Sequence, residues 1–152
     1  MEPVVFQDHL RPFGQTCFGC GQDNAHGLRI RSHWEGEEGV CRWTPQPWHV
    51  GMPGVLNGGL IATLIDCRTA STATAAAYRA EGRPLGSEPA LVYVTASLHV
   101  DYLKPTPSEG PLELRARVQE LRGRKITVRC ALLAGGQETA RGEGVFVRVE
   151  AR

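Results

Sequence analysis

No stretch of the 152-residue chain approaches the roughly 18 consecutive apolar residues that a membrane-crossing helix needs. The opening, MEPVVFQDHLRPF, has neither the basic start nor the apolar core of a secretory signal. These absences set the expectation of a soluble, cytoplasmic protein with no membrane partner. An excess of either charge is missing too: 17 Lys plus Arg face 16 Asp plus Glu, a net charge of +1, so bulk charge offers nothing to a nucleic acid. The cysteines, at positions 17, 20, 41, 67 and 130, are odd in number and scattered, which suits reduced thiols rather than a disulfide framework. Only Cys17 and Cys20, in CFGCG, have the spacing of metal ligands, and no second Cys-x-x-Cys follows to complete about four. His26 and His33 offer no natural completion, so the expectation is no metal and a small-residue loop with buried or half-buried thiols.

A chain of this length is one ordinary domain, able to bury a core without staples. Residues 1–27 hold Pro3, Pro12, Gly14, Gly19, Gly21 and Gly27 with little periodicity and are expected to form an irregular arm, with the domain proper over 28–150. LRIRSHW (Leu28 to Trp34) alternates apolar and polar, and VCRWT resumes that pattern after the turn-like EGEEG, which predicts a hairpin. Pro45, Pro47, Gly51, Pro53 and Gly54 then interrupt regular structure as far as Asn57. From Gly58 to about Arg79 proline is absent, and so is glycine after Gly59, which predicts one long helix with Asn57 as its N-cap. Downstream, ALVYVTASLHVDYL, LELRARVQEL, ITVRCALL and TARGEGVFVRV read as four strands. In the first, alternation sets Val92, Val94, Ala96, Leu98, Val100 and Tyr102 opposite Thr95, Ser97, His99 and Asp101. One long helix and an antiparallel sheet of about five or six strands make an α+β architecture.

The helix carries a carboxylate, Asp66, within an apolar run, on a stripe with Gly59, Ala62, Thr69, Ala70, Ala73 and Ala77. Its small neighbours leave room for a partner helix or a ligand. Two readings stand side by side: a structural carboxylate held by Arg68, a backbone N–H or water, or a desolvated base or nucleophile. The Gly58–Gly59 pair at the helix start could expose backbone N–H groups to an oxyanion, or serve close packing. Gly58 and Asp66 lie eight residues apart, on the order of 12 Å along one helix, so they cannot touch one carbonyl within one chain. If both serve one site, that site is shared between subunits, which predicts a homodimer.

HVGMPGVLNGGLIATLID resembles the signature of the PaaI-like acyl-CoA thioesterases of the hotdog-fold superfamily, in which a His-Gly-Gly is followed by an acid on the helix. CFGCGQDNAHGLRI and VDYLKPTP are similar to other segments of bacterial members, so the resemblance runs over roughly residues 17 to 150. It implies a hotdog fold, a long central helix wrapped by the antiparallel sheet, paired as a homodimer with a dimer of dimers left open. It also implies hydrolysis of an acyl-CoA or similar acyl thioester, with no cofactor. On this reading Asp66 matches the general base or nucleophile, Gly58 the oxyanion donor, and Thr95 a hydroxyl that orients water. His49 matches the upstream His of the signature, as a substrate contact or a loop residue, with Asn57 and Gly59 in the substrate-binding loop. Asn57 departs from the family: an amide stands where the usual His would be, able to cap and hydrogen-bond but not to take up a proton near neutral pH. Gly51 also stands where some relatives carry a polar substrate contact. The alternative is a non-catalytic acyl-CoA-binding hotdog protein; a hotdog hydratase lacks its usual Asp and His pair here.

Overall fold

The computed structural model describes residues 2–10 and 14–151. Its elements in chain order are a helical turn α1 (Phe6–His9), strands β1 (Ser32–Glu35) and β2 (Glu38–Trp43), the long helix α2 (Gly58–Ala80), and strands β3 (Val92–Tyr102), β4 (Leu112–Arg122), β5 (Lys125–Ala134) and β6 (Gln137–Val149). A short 3₁₀ turn, Pro47–His49, precedes α2. The six strands form one antiparallel sheet in the order β1-β2-β4-β5-β6-β3, and α2 lies across it as the hotdog arrangement requires.

The first hairpin is shorter than the alternation predicts. Leu28 and Ile30 are buried, but Arg29 adopts a positive φ of 52°, which breaks the extended run, so β1 begins only at Ser32. β4, β5 and β6 follow one another through tight turns, whereas β3 pairs with β6 and not with its neighbour in sequence, β4. β3 is therefore an edge strand, and Val94 (47 % exposed) and Tyr102 (55 %) show apolar surface there.

α2 starts where Asn57 caps it: the side-chain oxygen accepts the Leu60 N–H at 3.0 Å. The helix packs closely because the strands beneath it are bare at two crossing points. A Cβ on Gly142 would sit 2.6 Å from Ile65 Cγ2, and one on Gly39 would sit 2.2 Å from Thr72 Oγ1. The core lies between, built from Ile61, Leu64 and Ile65 of α2 against Leu114, Ile126, Val128, Leu132 and Phe146 of the sheet. α1 is tied into this layer by Gln7, whose buried amide donates to Ser32 Oγ at 2.7 Å and Ser71 Oγ at 3.2 Å and accepts the Ser32 N–H at 2.8 Å.

Candidate active site

Most of α2 is buried, but Ala62, Thr63, Asp66, Ala70 and Thr74 keep a partly open strip on successive turns. Asp66 stands on that strip, half-buried, and its Oδ1 accepts a hydrogen bond from Thr95 Oγ1 at 2.9 Å. Burial pushes the Asp66 carboxyl above the ordinary range, and the Thr95 hydrogen bond pulls in the opposite direction. Arg68 does not hold it. That guanidinium turns into the core and donates to Thr72 Oγ1 at 3.0 Å, and among the described residues Asp66 makes no ion pair.

Thr95 reaches Asp66 because β3 contains a bulge. Thr95 is opposite Phe146 on β6 and Ser97 is opposite Val145, so Ala96 is an extra residue in the ladder. The bulge reverses the alternation: Tyr93 and Thr95 before it face the helix layer, as do Leu98 and Val100 after it. This corrects the strict alternation expected from sequence, which set Thr95 opposite Leu98 and Val100.

The second group of candidate residues lies at the N-terminus of α2. Gly58 occupies the first helical position, and its N–H meets no acceptor among the described residues. Tyr102, from the far end of β3, donates its hydroxyl to Gly58 O at 2.7 Å, and its ring lies over the glycine, 3.5 Å from where a Cβ would be. The sequence pattern places Tyr102 on the apolar face of its strand and gives it no part in this corner. Gly59 leaves space for the cap, since its Cβ would lie 3.1 Å from Asn57 Oδ1.

The loop before the helix is held from both sides. Asn57 N–H donates to His49 O at 3.1 Å, and Leu56 N–H donates to Thr106 O at 2.8 Å. Thr106 in turn bonds Thr139 through their buried hydroxyls at 2.7 Å. His49 is engaged with its own turn: Nδ1 accepts the Gln46 N–H at 2.8 Å, and the ring lies 5.1 Å from that of Trp43. Partial burial pushes its imidazole pKa down. Asp66, Thr95, Gly58, Gly59, Asn57 and His49 thus divide into two groups on one chain, a carboxylate–hydroxyl pair in mid-helix and a cluster at the helix start.

Beyond Asp66 the open strip continues into a cavity of about 220 Å³. Ala70, Thr74 and Tyr78 of α2 form its floor, Leu91 and Tyr93 one wall, and Leu10 of the arm another.

The profile of the thioesterase superfamily matches residues 53–141, which span the helix, its approach loop and most of the sheet. A thioesterase superfamily protein from Shewanella loihica PV-4 is 39 % identical with a TM-score of 0.66, over 84 % of this chain and 97 % of that one. The phenylacetic acid degradation protein PaaI from Thermus thermophilus shares the fold at 22 % identity and a TM-score of 0.65, over 80 % of this chain and 95 % of that one. Among curated sequences, the acyl-coenzyme A thioesterase THEM4 of Rattus norvegicus is 31 % identical over 102 residues, 66 % of this chain and 38 % of that protein. THEM4 of Xenopus laevis is 33 % identical over 93 residues, 61 % of this chain and 36 % of that protein, so the chain spans well under half the length of these relatives. With a helix-borne acid, a glycine-opened helix start and a matching profile over more than half its length, this chain belongs to the thioesterase superfamily.

Proposed function

We propose that the chain hydrolyses an acyl-CoA, or a closely similar acyl thioester, at a site shared by two copies of itself. The observation that carries this reading is the isolation of Asp66: a half-buried carboxylate whose described side-chain partner is the Thr95 hydroxyl, one helical turn before Ala70, which lines a cavity. A carboxylate so placed takes a proton from water, and the water oxygen attacks the thioester carbon. Thr95, which donates to one carboxylate oxygen, holds Asp66 so that the other faces the water. The negative charge that develops on the carbonyl oxygen is met by the Gly58 N–H of the partner subunit, since on one chain the two groups are on the order of 12 Å apart. The tetrahedral adduct then collapses, the C–S bond breaks, and the departing thiolate takes up the proton that Asp66 holds. The exposed edge of β3, with Val94 and Tyr102, supplies the surface on which the two copies pair. The cavity beyond Ala70 takes the acyl group.

Two variants test the scheme. Asp66→Asn keeps the Thr95 contact but cannot accept a proton, and thioester turnover should fall about 10²- to 10⁴-fold, read as release of free thiol. Gly58→Pro removes the N–H at a first helical position that tolerates proline, and Asn57 ahead of it already has a compatible ψ of 130°. That loss should be about 10²- to 10³-fold. Because the two groups belong to different subunits, co-expressed Asp66→Asn and Gly58→Pro chains should restore one site per mixed dimer. Near-normal turnover by folded Asp66→Asn sinks the hydrolytic reading, and ligand-induced stabilisation without turnover in the unmodified protein would make the chain a binder instead.

A further inference from the structure

The arm meets α2 through sulfur. Cys17 and Cys20 of CFGCG lie against Cys67, the residue after Asp66, and the three Sγ atoms fall within 4.8 Å of one another. Cys17 Sγ and Cys67 Sγ are 3.7 Å apart. With a zinc–sulfur bond of about 2.3 Å, the edge of a tetrahedral site is about 3.8 Å, so this pair already has the separation of two ligands on one ion. Cys17 and Cys20 are half-buried and Cys67 is buried, so the group sits just under the surface with one side accessible to solvent.

The loop is shaped around these sulfurs. Gly21 N–H closes onto Cys17 O at 2.8 Å, and Ile30 N–H onto Gly19 O at 3.0 Å. A Cβ on Gly19 would lie 2.1 Å from Cys67 Sγ, and one on Gly21 would lie 2.4 Å from both Cys17 N and Gln15 O. The chain can wrap this tightly only with glycine at both positions. Gln15, on the same loop, holds a buried amide oxygen without a hydrogen-bond partner among the described residues.

A second, independent observation is Arg68. The residue after Cys67, it is completely buried, and its Nε and Nη1 have no hydrogen-bond partner among the described residues. A buried guanidinium needs an anion. Three thiolates on a divalent cation carry one net negative charge, which is the complement of one arginine.

We infer that Cys17, Cys20 and Cys67 form a three-thiolate site for a soft or borderline divalent cation, with zinc the fitting ion and a solvent oxygen as fourth ligand. Each thiol that binds releases its proton to solvent. All-sulfur protein ligands exclude the hard cations magnesium and calcium. The ion ties the N-terminal arm to α2 one residue from Asp66, so its role is to hold the arm, and the site neither needs nor implies thioester turnover.

The test uses the full chain, expressed with added zinc and purified in reductant without chelator. Elemental analysis should find about one zinc per chain, falling below about a tenth in Cys20→Ser while far-ultraviolet circular dichroism is unchanged. Cobalt added to metal-free unmodified protein should give thiolate-to-cobalt charge transfer and the strong visible bands of a tetrahedral ion, a readout that does not depend on any variant folding. Zinc at background with no charge transfer from cobalt overturns the assignment. So does equal zinc in unmodified and Cys20→Ser protein, or a disulfide among the three cysteines whose reduction restores no metal uptake.

Discussion

Thr95 donates its hydroxyl to Asp66 Oδ1 over 2.9 Å from a strand position that strict alternation turns away from the helix. One extra residue, Ala96, reverses the facing of the strand and brings the two side chains together. A bulge beside a helix-borne acid is a device for aiming a side chain, and it makes the pair a unit that can be taken apart by substitution.

Thr95→Val keeps the shape of the side chain and removes the hydroxyl. Turnover is expected to fall about 10-fold, equivalent to about 1.4 kcal/mol in the barrier, with KM little changed because the hydroxyl orients the carboxylate and not the acyl group. Thr95→Ser should restore most of the loss. Stability should move by no more than about 0.5 kcal/mol, since Thr95 is exposed, and a denaturation curve checks this.

Ala70 lies one turn beyond Asp66 on the floor of the cavity. Ala70→Leu fills part of that space. Turnover of thioesters whose acyl group occupies it should drop about 10- to 100-fold in kcat/KM, while an acetyl thioester should change by less than about 3-fold. A chain-length series read by thiol release separates the two, and a uniform loss across the series would place the acyl group elsewhere.

Asn57 caps α2 through Leu60 N–H. Asn57→Ala should cost about 1 kcal/mol of stability, visible as a lower urea midpoint with an unchanged slope, and Asn57→Asp should cost little. Asn57→His installs the residue that the resemblance to the PaaI-like signature implies at this position but offers a poorer cap, so it should lose stability as the alanine variant does. Whether it also gains turnover reports on proton transfer at this position.

Arg68→Met replaces a buried cation with an apolar side chain of similar length. In metal-free protein the change should be neutral or stabilising by on the order of 1 kcal/mol, because an unpaired buried charge is removed. In zinc-loaded protein the same change should weaken metal retention and erase that gain. Paired melts with and without chelator distinguish the two states.

Much of this architecture is legible in the sequence, and what is hidden has specific causes. The helix announces itself through a run behind Asn57 that is free of proline, and of glycine after Gly59, and it spans Gly58–Ala80. Strand composition likewise marks β2 and β4 to β6. The bulge leaves no comparable signal, since Ala96 fits an alternating pattern as well as an extra position does, and one residue suffices to invert the faces. The early end of the first hairpin strand hangs on the φ of Arg29, a residue type that gives no warning of a left-handed conformation. Arg68 reads in sequence as one possible partner of Asp66, yet it is fully buried and turned into the core, because helical phase and not residue type decides which way it points. The association of CFGC with Cys67 is a contact between residues far apart in the chain, which spacing rules cannot register.

The order of the strands has a consequence for how the molecule is made. β3 waits for β6, the last strand of the domain, before it has a neighbour to pair with, and every strand between is synthesised first. Local turns can zip β4, β5 and β6 early, whereas the pairing that aims Thr95, opposite Phe146, spans far more chain than those hairpins and therefore forms after them. During that interval the apolar edge of β3 is uncovered on both sides. The folding nascent chain is thus most exposed to aggregation at the strand that later carries part of the site, and slowing the synthesis of β6 should lower soluble yield more than slowing β2 does.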